Sequence, residues 1–168
     1  MIRLNRTTEY GLMALRHMSK KMSGKSSQNA LSLADSPQSW TSAREIADCY
    51  GIPFEITAKT LQRLKESGII QSAHGAKGGY ILQRSLSEVS LAEFLTLMEG
   101  PQGLVACSGS EDQSVNDCEY GSHCEIKSVM NRLNSRLFKF LSGIPLAELA
   151  EGPVSQLIPL STFNKEYI

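Results

Sequence analysis

The sequence predicts a mainly α-helical fold with a small β-wing: a winged helix-turn-helix followed by one long C-terminal helix. Three features support this. Residues 42–68 hold two short amphipathic segments separated by a glycine turn, residues 69–83 hold two β-prone segments around a glycine-rich stretch, and residues 126–144 repeat apolar side chains every three or four positions. Two short helices joined by such a turn form a helix-turn-helix. A chain of 168 residues suits one such domain with an appendage.

The DNA-binding unit is expected to span residues 1–100. Its first helix is predicted over about residues 7–22, where apolar side chains recur at helical spacing. The serine-rich residues 23–41 follow as a polar loop insertion. The second helix begins at Ser42, which forms an S-x-x-E capping box with Glu45.

The third helix is predicted over roughly residues 53–67, with a proline in its first turn and a glycine just after its end. We expect this helix to bury the side chains of Ile56, Thr60, Leu61 and Leu64. Residues 69–73 and 80–83 are predicted to be strands, because the glycines between them permit the tight turn of a hairpin.

A second capping box, Ser90 with Glu93, opens a helix that ends at Gly100. Residues 101–124 form a cysteine-containing loop, and residues 125–144 are predicted to be a dimerisation helix. Its apolar positions alternate in steps of four and three, as in a coiled-coil seam, and they are Ile126, Met130, Leu133, Leu137, Phe140 and Ile144. The alternative is packing of this stripe on its own domain. Residues 145–168 form a C-terminal tail with no informative pattern.

Composition and charge narrow the class of protein. No apolar run approaches the length of a membrane helix, and the N-terminus lacks a signal-peptide core, so we expect a cytoplasmic protein without membrane contact. Net charge is zero, yet residues 1–86 carry twelve Lys and Arg against six acids, and the remainder carries five against eleven. An N-terminal half with this excess of basic residues favours a nucleic-acid partner.

Candidate DNA contacts lie on and near the third helix, because a helix-turn-helix presents the N-terminal exposed side chains of its second helix to base edges. The candidates on that helix are Thr57, Ala58, Lys59, Gln62 and Arg63. Arginine and glutamine can each bond a base through two hydrogen bonds. Candidates for phosphate contacts are Thr41, Ser42 and Arg44 before and in the second helix, and Lys77 at the wing tip. The alternative for each charged side chain is an ordinary solvated position.

Three of the four cysteines, Cys107, Cys118 and Cys124, lie in a polar, acidic stretch with few apolar residues to bury them. Thiolates at short spacing in such a loop usually serve a metal or a redox reaction. Soft sulfur ligands favour an iron–sulfur cluster or zinc, but the spacings of ten and five residues fit poorly with the paired ligands of structural zinc. A zinc site and a metal-free thiol switch remain alternatives.

Other titratable residues have simpler interpretations. Cys49 is predicted to be a packed core thiol, and His17 a core histidine with a hydrogen-bond partner. His123, beside Cys124, is an alternate metal ligand. The sequence contains no C-x-x-C motif, phosphate loop or catalytic triad in a recognisable context, so we do not expect an enzyme or a cluster carrier. A winged helix that binds only proteins is a further alternative.

Four segments occur in a family-specific order: LNRTTEYGLMAL, then REIADCYGIPFEITAKTLQRLKESGIIQSAHGAKGGYIL, then SLAEFLTLMEG, then the three cysteines. This order resembles the Rrf-type winged-helix iron–sulfur regulators, and most closely the branch that regulates SUF-system cluster assembly. The resemblance covers about residues 1–144, with 23–41 as an insertion.

The resemblance implies a homodimeric transcription factor that binds a palindromic operator in double-stranded DNA. It implies a 2Fe-2S or 4Fe-4S cluster on the three cysteines, with Glu9 of the partner subunit as fourth ligand. It also implies a minor-groove contact at the wing position held here by His74, and repression of cluster-assembly genes in response to redox state, nitric oxide or cluster status. Two departures affect cluster type: no histidine follows Cys124, and ten residues rather than five separate the first two cysteines.

Overall fold

The computed structural model describes residues 4–23, 40–73, 78–101, 103–105 and 123–151. The elements in these ranges are α1 (Arg6–Ser23), α2 (Ala43–Tyr50), α3 (Phe54–Glu66), β1 (Ile70–Ala73), β2 (Gly79–Leu82), α4 (Leu91–Glu99), α5 (Lys127–Ser142) and α6 (Leu146–Glu151). The predicted fold class is confirmed: the chain is mainly helical, with one two-stranded antiparallel sheet as the wing. None of the helices in these ranges has the length and apolar character needed to cross a bilayer.

Helix α1 is the central element of the core. Its Ala14, Leu15 and Met18 are buried in one cluster with residues of α3 and α4. Close packing against α4 depends on Gly11, since a Cβ there would lie 3.2 Å from the end of the Phe94 ring. Helix α1 therefore supports both the helix-turn-helix and the helix that leads to the cysteine loop.

Local signals position α2 and α3 as the sequence predicts. Ser42 Oγ accepts a hydrogen bond from Glu45 N at 3.0 Å, which caps α2. Gly51 ends α2 with a φ of 64°, in the left-handed region that favours glycine. The prediction that Ile56 is buried is wrong: it is 41% exposed. The buried face of α3 consists of Thr57, Thr60, Leu61 and Leu64, and Ile56 lies about a quarter turn away from it.

The wing is attached to the helix-turn-helix by backbone pairing. Strands β1 and β2 pair antiparallel, with Ile70 opposite Leu82. Thr41, just before α2, forms a bridge with Tyr80 through N–H···O bonds of 2.9 and 2.8 Å. A Cβ at position 79 would lie 2.8 Å from the Thr41 carbonyl oxygen, so only glycine permits this approach.

A polar junction joins α1 to α2. Lys21 Nζ lies 2.7 and 2.8 Å from the two carboxylate oxygens of Glu45, and His17 Nε2 lies 3.1 Å from one of them. Partial burial raises the pKa of Glu45, but the hydrogen bonds from Lys21 and His17 outweigh it and leave that pKa below its ordinary value. The hydrogen-bond partner expected for His17 is thus Glu45.

Cys49 was expected in the core but is exposed, because α2 turns only Ile46 and Ala47 fully inward.

The chain returns to the core after α5, contrary to the expected featureless tail. Helix α6 buries Leu146 and Ala150, and Arg16 of α1 donates to the carbonyl oxygens of Leu149 and Ala150 at 3.0 and 3.3 Å. Ile144, predicted as the last residue of the exposed seam, is buried as well. The sequence missed α6 because a six-residue helix carries little periodic signal.

Helix α5 differs from every other long helix described, since it has no fully buried residue. Large apolar side chains along it are exposed, among them Ile126 (62%), Val129, Leu133 and Phe138. The predicted helix is therefore present. Ile126, Val129, Leu133 and Phe138 are not covered by the described parts of their own chain, whereas the seam residues Met130, Leu137 and Phe140 are half-buried.

Replacing Gly79 by alanine is expected to destabilise the protein by about 1–3 kcal/mol, because the new methyl group overlaps the Thr41 carbonyl and must push β2 away. Urea denaturation measures the change in the free energy of unfolding. Gly143→Ala is the matched control: its φ is −81° and its Cβ would come no closer than 3.4 Å to a neighbour. Equal stability changes in the two variants would contradict the proposed constraint.

Candidate nucleic-acid interface

One exposed surface combines the start of α3 with the start of α2. The Arg44 guanidinium carbon lies 4.7 Å from the centroid of the Phe54 ring, which brings the first turns of both helices together. We define the recognition surface as Arg44 together with the exposed side chains in the first ten residues of α3, which are Phe54, Glu55, Ile56, Lys59, Gln62 and Arg63.

Several predicted contacts occupy this surface. Lys59 and Gln62 are exposed on the side of α3 opposite its buried face, and Ala58 is half-buried beside them. Gln62 Nε2 donates to Glu66 Oε1 at 3.1 Å, so this hydrogen bond uses the amide nitrogen of Gln62 and does not involve its amide oxygen. Ser42 is exposed at the N-terminus of α2, where helix amide groups favour an anion such as a phosphate.

Two predicted contacts are not on this surface. Thr57 is only 2% exposed, and its hydroxyl donates to the Pro53 carbonyl at 3.1 Å within α3. Thr41 is fully buried, because its backbone pairs with Tyr80 and its side chain turns inward. Within the described ranges Thr41 Oγ1 has no hydrogen-bond partner. Expectations that these hydroxyl groups face DNA are therefore wrong.

Arg63 has a contact that the sequence analysis did not predict. Its Nη1 donates to the Met98 carbonyl oxygen at 3.0 Å, near the C-terminus of α4. On the same turn of α4, Glu99 Oε1 accepts a hydrogen bond from the backbone N–H of Asn5 at 2.9 Å. The end of α4 is thus bonded to both the recognition helix and the entry to α1, directly before the cysteine loop.

The predicted metal ligands are only partly described. Cys107 and Cys118 lie outside the described residues, as do His74 and Lys77 of the wing tip. Cys124 is half-buried just before α5. Glu9 lies in the first turn of α1 with 45% of its side chain exposed and pairs with Arg6 at 3.3 Å.

The residues that the structure describes contain no group of three or more His, Cys, Asp or Glu side chains able to hold a metal. The predicted donors are soft thiolates with one carboxylate, a set that fits an iron–sulfur cluster.

Sequence reasoning missed three residues of the recognition surface, Phe54, Glu55 and Ile56. The first and last are 43% and 41% exposed despite being large and apolar. Ile56 lies four residues before the buried Thr60, a spacing that usually places two side chains on one face of a helix, so the sequence carries no signal of its exposure.

Comparison with known proteins gives a consistent result. The Rrf2 family model, described as "Iron-dependent Transcriptional regulator", matches residues 4–152. The HTH-type transcriptional regulator IscR of Photorhabdus laumondii is 30% identical over 105 residues, which cover 62% of this chain and 61% of that protein. IscR of Serratia proteamaculans is 29% identical over the same shares. The chain thus spans about three-fifths of the length of these relatives.

Two solved structures share the fold. CymR, the global cysteine regulator of B. subtilis, has a TM-score of 0.62 at 20% identity, covering 91% of this chain and 99% of CymR. IscR of T. potens has a TM-score of 0.58 at 20% identity, covering 97% of each chain. At this identity the two structures support the winged-helix fold alone.

Arg63→Ala is expected to lower the free energy of unfolding by about 1 kcal/mol, because it removes the hydrogen bond to Met98 between two packed helices. Gln62→Ala is the control, since its hydrogen bond stays within α3, and we expect a change below about 0.5 kcal/mol. Thermal or urea denaturation compares them. If the two variants were equally stable, Arg63 would not help to hold α3 against α4.

Proposed function

The chain belongs to the Rrf2 family of transcriptional regulators, and from that membership we propose that it is a homodimeric DNA-binding repressor controlled by an iron–sulfur cluster. The observation that carries the proposal is the family match over residues 4–152 together with the exposed recognition surface of α3. Its relatives are named as transcriptional regulators, which favours a regulator over an enzyme. We place it in the cytoplasm, where its operator is accessible.

DNA binding follows from the geometry of the helix-turn-helix. Helix α3 enters the major groove, where Lys59 and Gln62 face base edges or phosphates. Arg44 and the exposed N-terminus of α2 face the phosphate backbone. Arg63 contributes through its bond to Met98, which orients α3 against the rest of the domain. Lys77 and His74 remain the proposed contacts of the wing.

Dimerisation follows from the uncovered apolar side chains of α5. Pairing of two such helices would remove Ile126, Leu133 and their neighbours from water, which is favourable in proportion to the area buried. Two copies related by twofold symmetry place two recognition helices on the same side of a duplex. The operator is therefore proposed to be palindromic.

Cys107, Cys118 and Cys124 of one subunit and Glu9 of the partner subunit would hold the proposed cluster. When bound, a 2Fe-2S or 4Fe-4S cluster supplies a group that changes with oxidation, nitric oxide or iron shortage. The protein transmits this change because Asn5, four residues before Glu9, bonds Glu99 beside the Arg63–Met98 contact. A cluster that binds more tightly to one arrangement of these elements would shift the DNA affinity. The size of the shift would be the difference in the free energy of cluster binding between the two arrangements. The regulated genes are proposed to be those of cluster assembly.

The alternative is a thiol-based or zinc-containing redox regulator on the same scaffold. Its support is the ten-residue spacing of the first two cysteines, which departs from the family pattern. Cofactor analysis distinguishes these possibilities.

Lys59→Ala is expected to lose about 1–3 kcal/mol of binding free energy on duplexes selected by the wild-type protein from a random pool. Binding should also weaken steeply with salt, because phosphate contacts release counterions. Lys65→Ala, an exposed lysine in the last turn of α3, is the control. Fluorescence anisotropy is measured on anaerobically purified and on chelator-treated protein. If neither form selected a duplex, the DNA-binding proposal would fail.

Anaerobically purified wild-type protein is expected to be brown, with iron and acid-labile sulfide in matched amounts. Cys124→Ala should lose both, while Cys49→Ala, which removes an exposed cysteine from α2, should keep both. Absorption spectra with iron, sulfide and zinc assays measure this. A colourless protein that stayed colourless after reconstitution would favour the thiol or zinc alternative.

A further inference from the structure

We propose that the recognition helix reads the C5-methyl group of a thymine through Ile56, so that each operator half-site contains one thymine recognised by apolar contact. This inference rests on the proposed DNA-binding function and adds a specificity-determining residue to it.

The starting observation is the position of an apolar side chain. Ile56 lies in the first turn of α3, where a helix-turn-helix presents side chains to base edges, and it is 41% exposed. A single exposed apolar residue needs no explanation on an ordinary surface. At the reading end of a recognition helix, however, an aliphatic side chain can offer no hydrogen bond to a base, and it can only make apolar contact.

The chemistry of the major groove supplies one apolar partner. Thymine carries a C5-methyl group there, whereas cytosine presents an amino group and adenine and guanine present polar edges. Ile56 thus favours thymine by burying a methyl group, and it disfavours the polar edges by leaving them without a partner.

Basic residues of the recognition surface favour a duplex as the partner of this side chain. Lys59 is exposed on the next turn of α3, and Arg44 lies at the start of α2. Both carry positive charge that complements phosphate. Arg44 stacks on Phe54, so the other large apolar side chain exposed on this turn already has a partner in its own chain. Ile56 shares the recognition surface with Lys59, three residues further along α3, and this cation favours a duplex over an apolar protein surface as the partner.

The test replaces each thymine of a duplex selected by the wild-type protein with deoxyuridine, one position at a time. This removes one methyl group and leaves base pairing unchanged. We expect one thymine per half-site whose replacement weakens wild-type binding about fourfold, the effect of burying one methyl group. Ile56→Ala should bind the thymine and uracil duplexes equally, which isolates the pairwise contact as a double-mutant cycle does.

Leu97→Ala is the matched control, since Leu97 is 40% exposed on α4, outside the recognition surface, and it should keep the fourfold difference. Circular dichroism verifies that each variant folds. Three outcomes would overturn the inference and leave the DNA-binding proposal intact. They are the absence of any effect of uracil at every position, a selected site without thymine, and a thymine–uracil difference that persists in Ile56→Ala. Failure to select any duplex would instead overturn the proposed function.

Discussion

The two backbone hydrogen bonds between Thr41 and Tyr80 set the relative position of the wing and the helix-turn-helix. They place Ser42, the cap of α2, directly beside strand β2, so the helix-turn-helix and the wing form one unit. The pairing depends on the absence of a side chain at Gly79. The absence of a Cβ at one position of a short strand thus controls how the wing lies against the helix-turn-helix.

Much of the fold could be predicted because its signals are local. Ser42 and Ser90 cap the helices they precede, and Gly51 has the positive φ that a turn requires. These features depend on residues within one turn of each other, and such interactions are visible in the sequence. Predictions about side-chain direction were less successful. Thr57 was expected to be exposed and Ile56 to be buried, but the structure shows the reverse, because a shift of one position moves a side chain by about 100° around a helix.

The rest depends on contacts between residues distant in sequence. No local pattern indicates that Arg63 donates to the Met98 carbonyl, or that the Asn5 amide bonds Glu99. Both bonds meet at the last turn of α4, so three segments of the chain share one junction at the start of the cysteine loop. An arginine in a recognition helix is naturally expected to contact a base, but tertiary structure assigns one of its donors to a carbonyl of its own domain.

The return of the chain through α6 has a consequence for how the molecule is assembled. Leu146 and Ala150 complete the core around α1, and Arg16 caps the far end of α6. The domain is therefore discontinuous in sequence, because its last helix lies beyond α5. During synthesis the core cannot close until α6 has left the ribosome, so the subunit finishes folding only after α5 has been made. Cutting the chain after residue 100 would remove part of the core rather than isolate a domain.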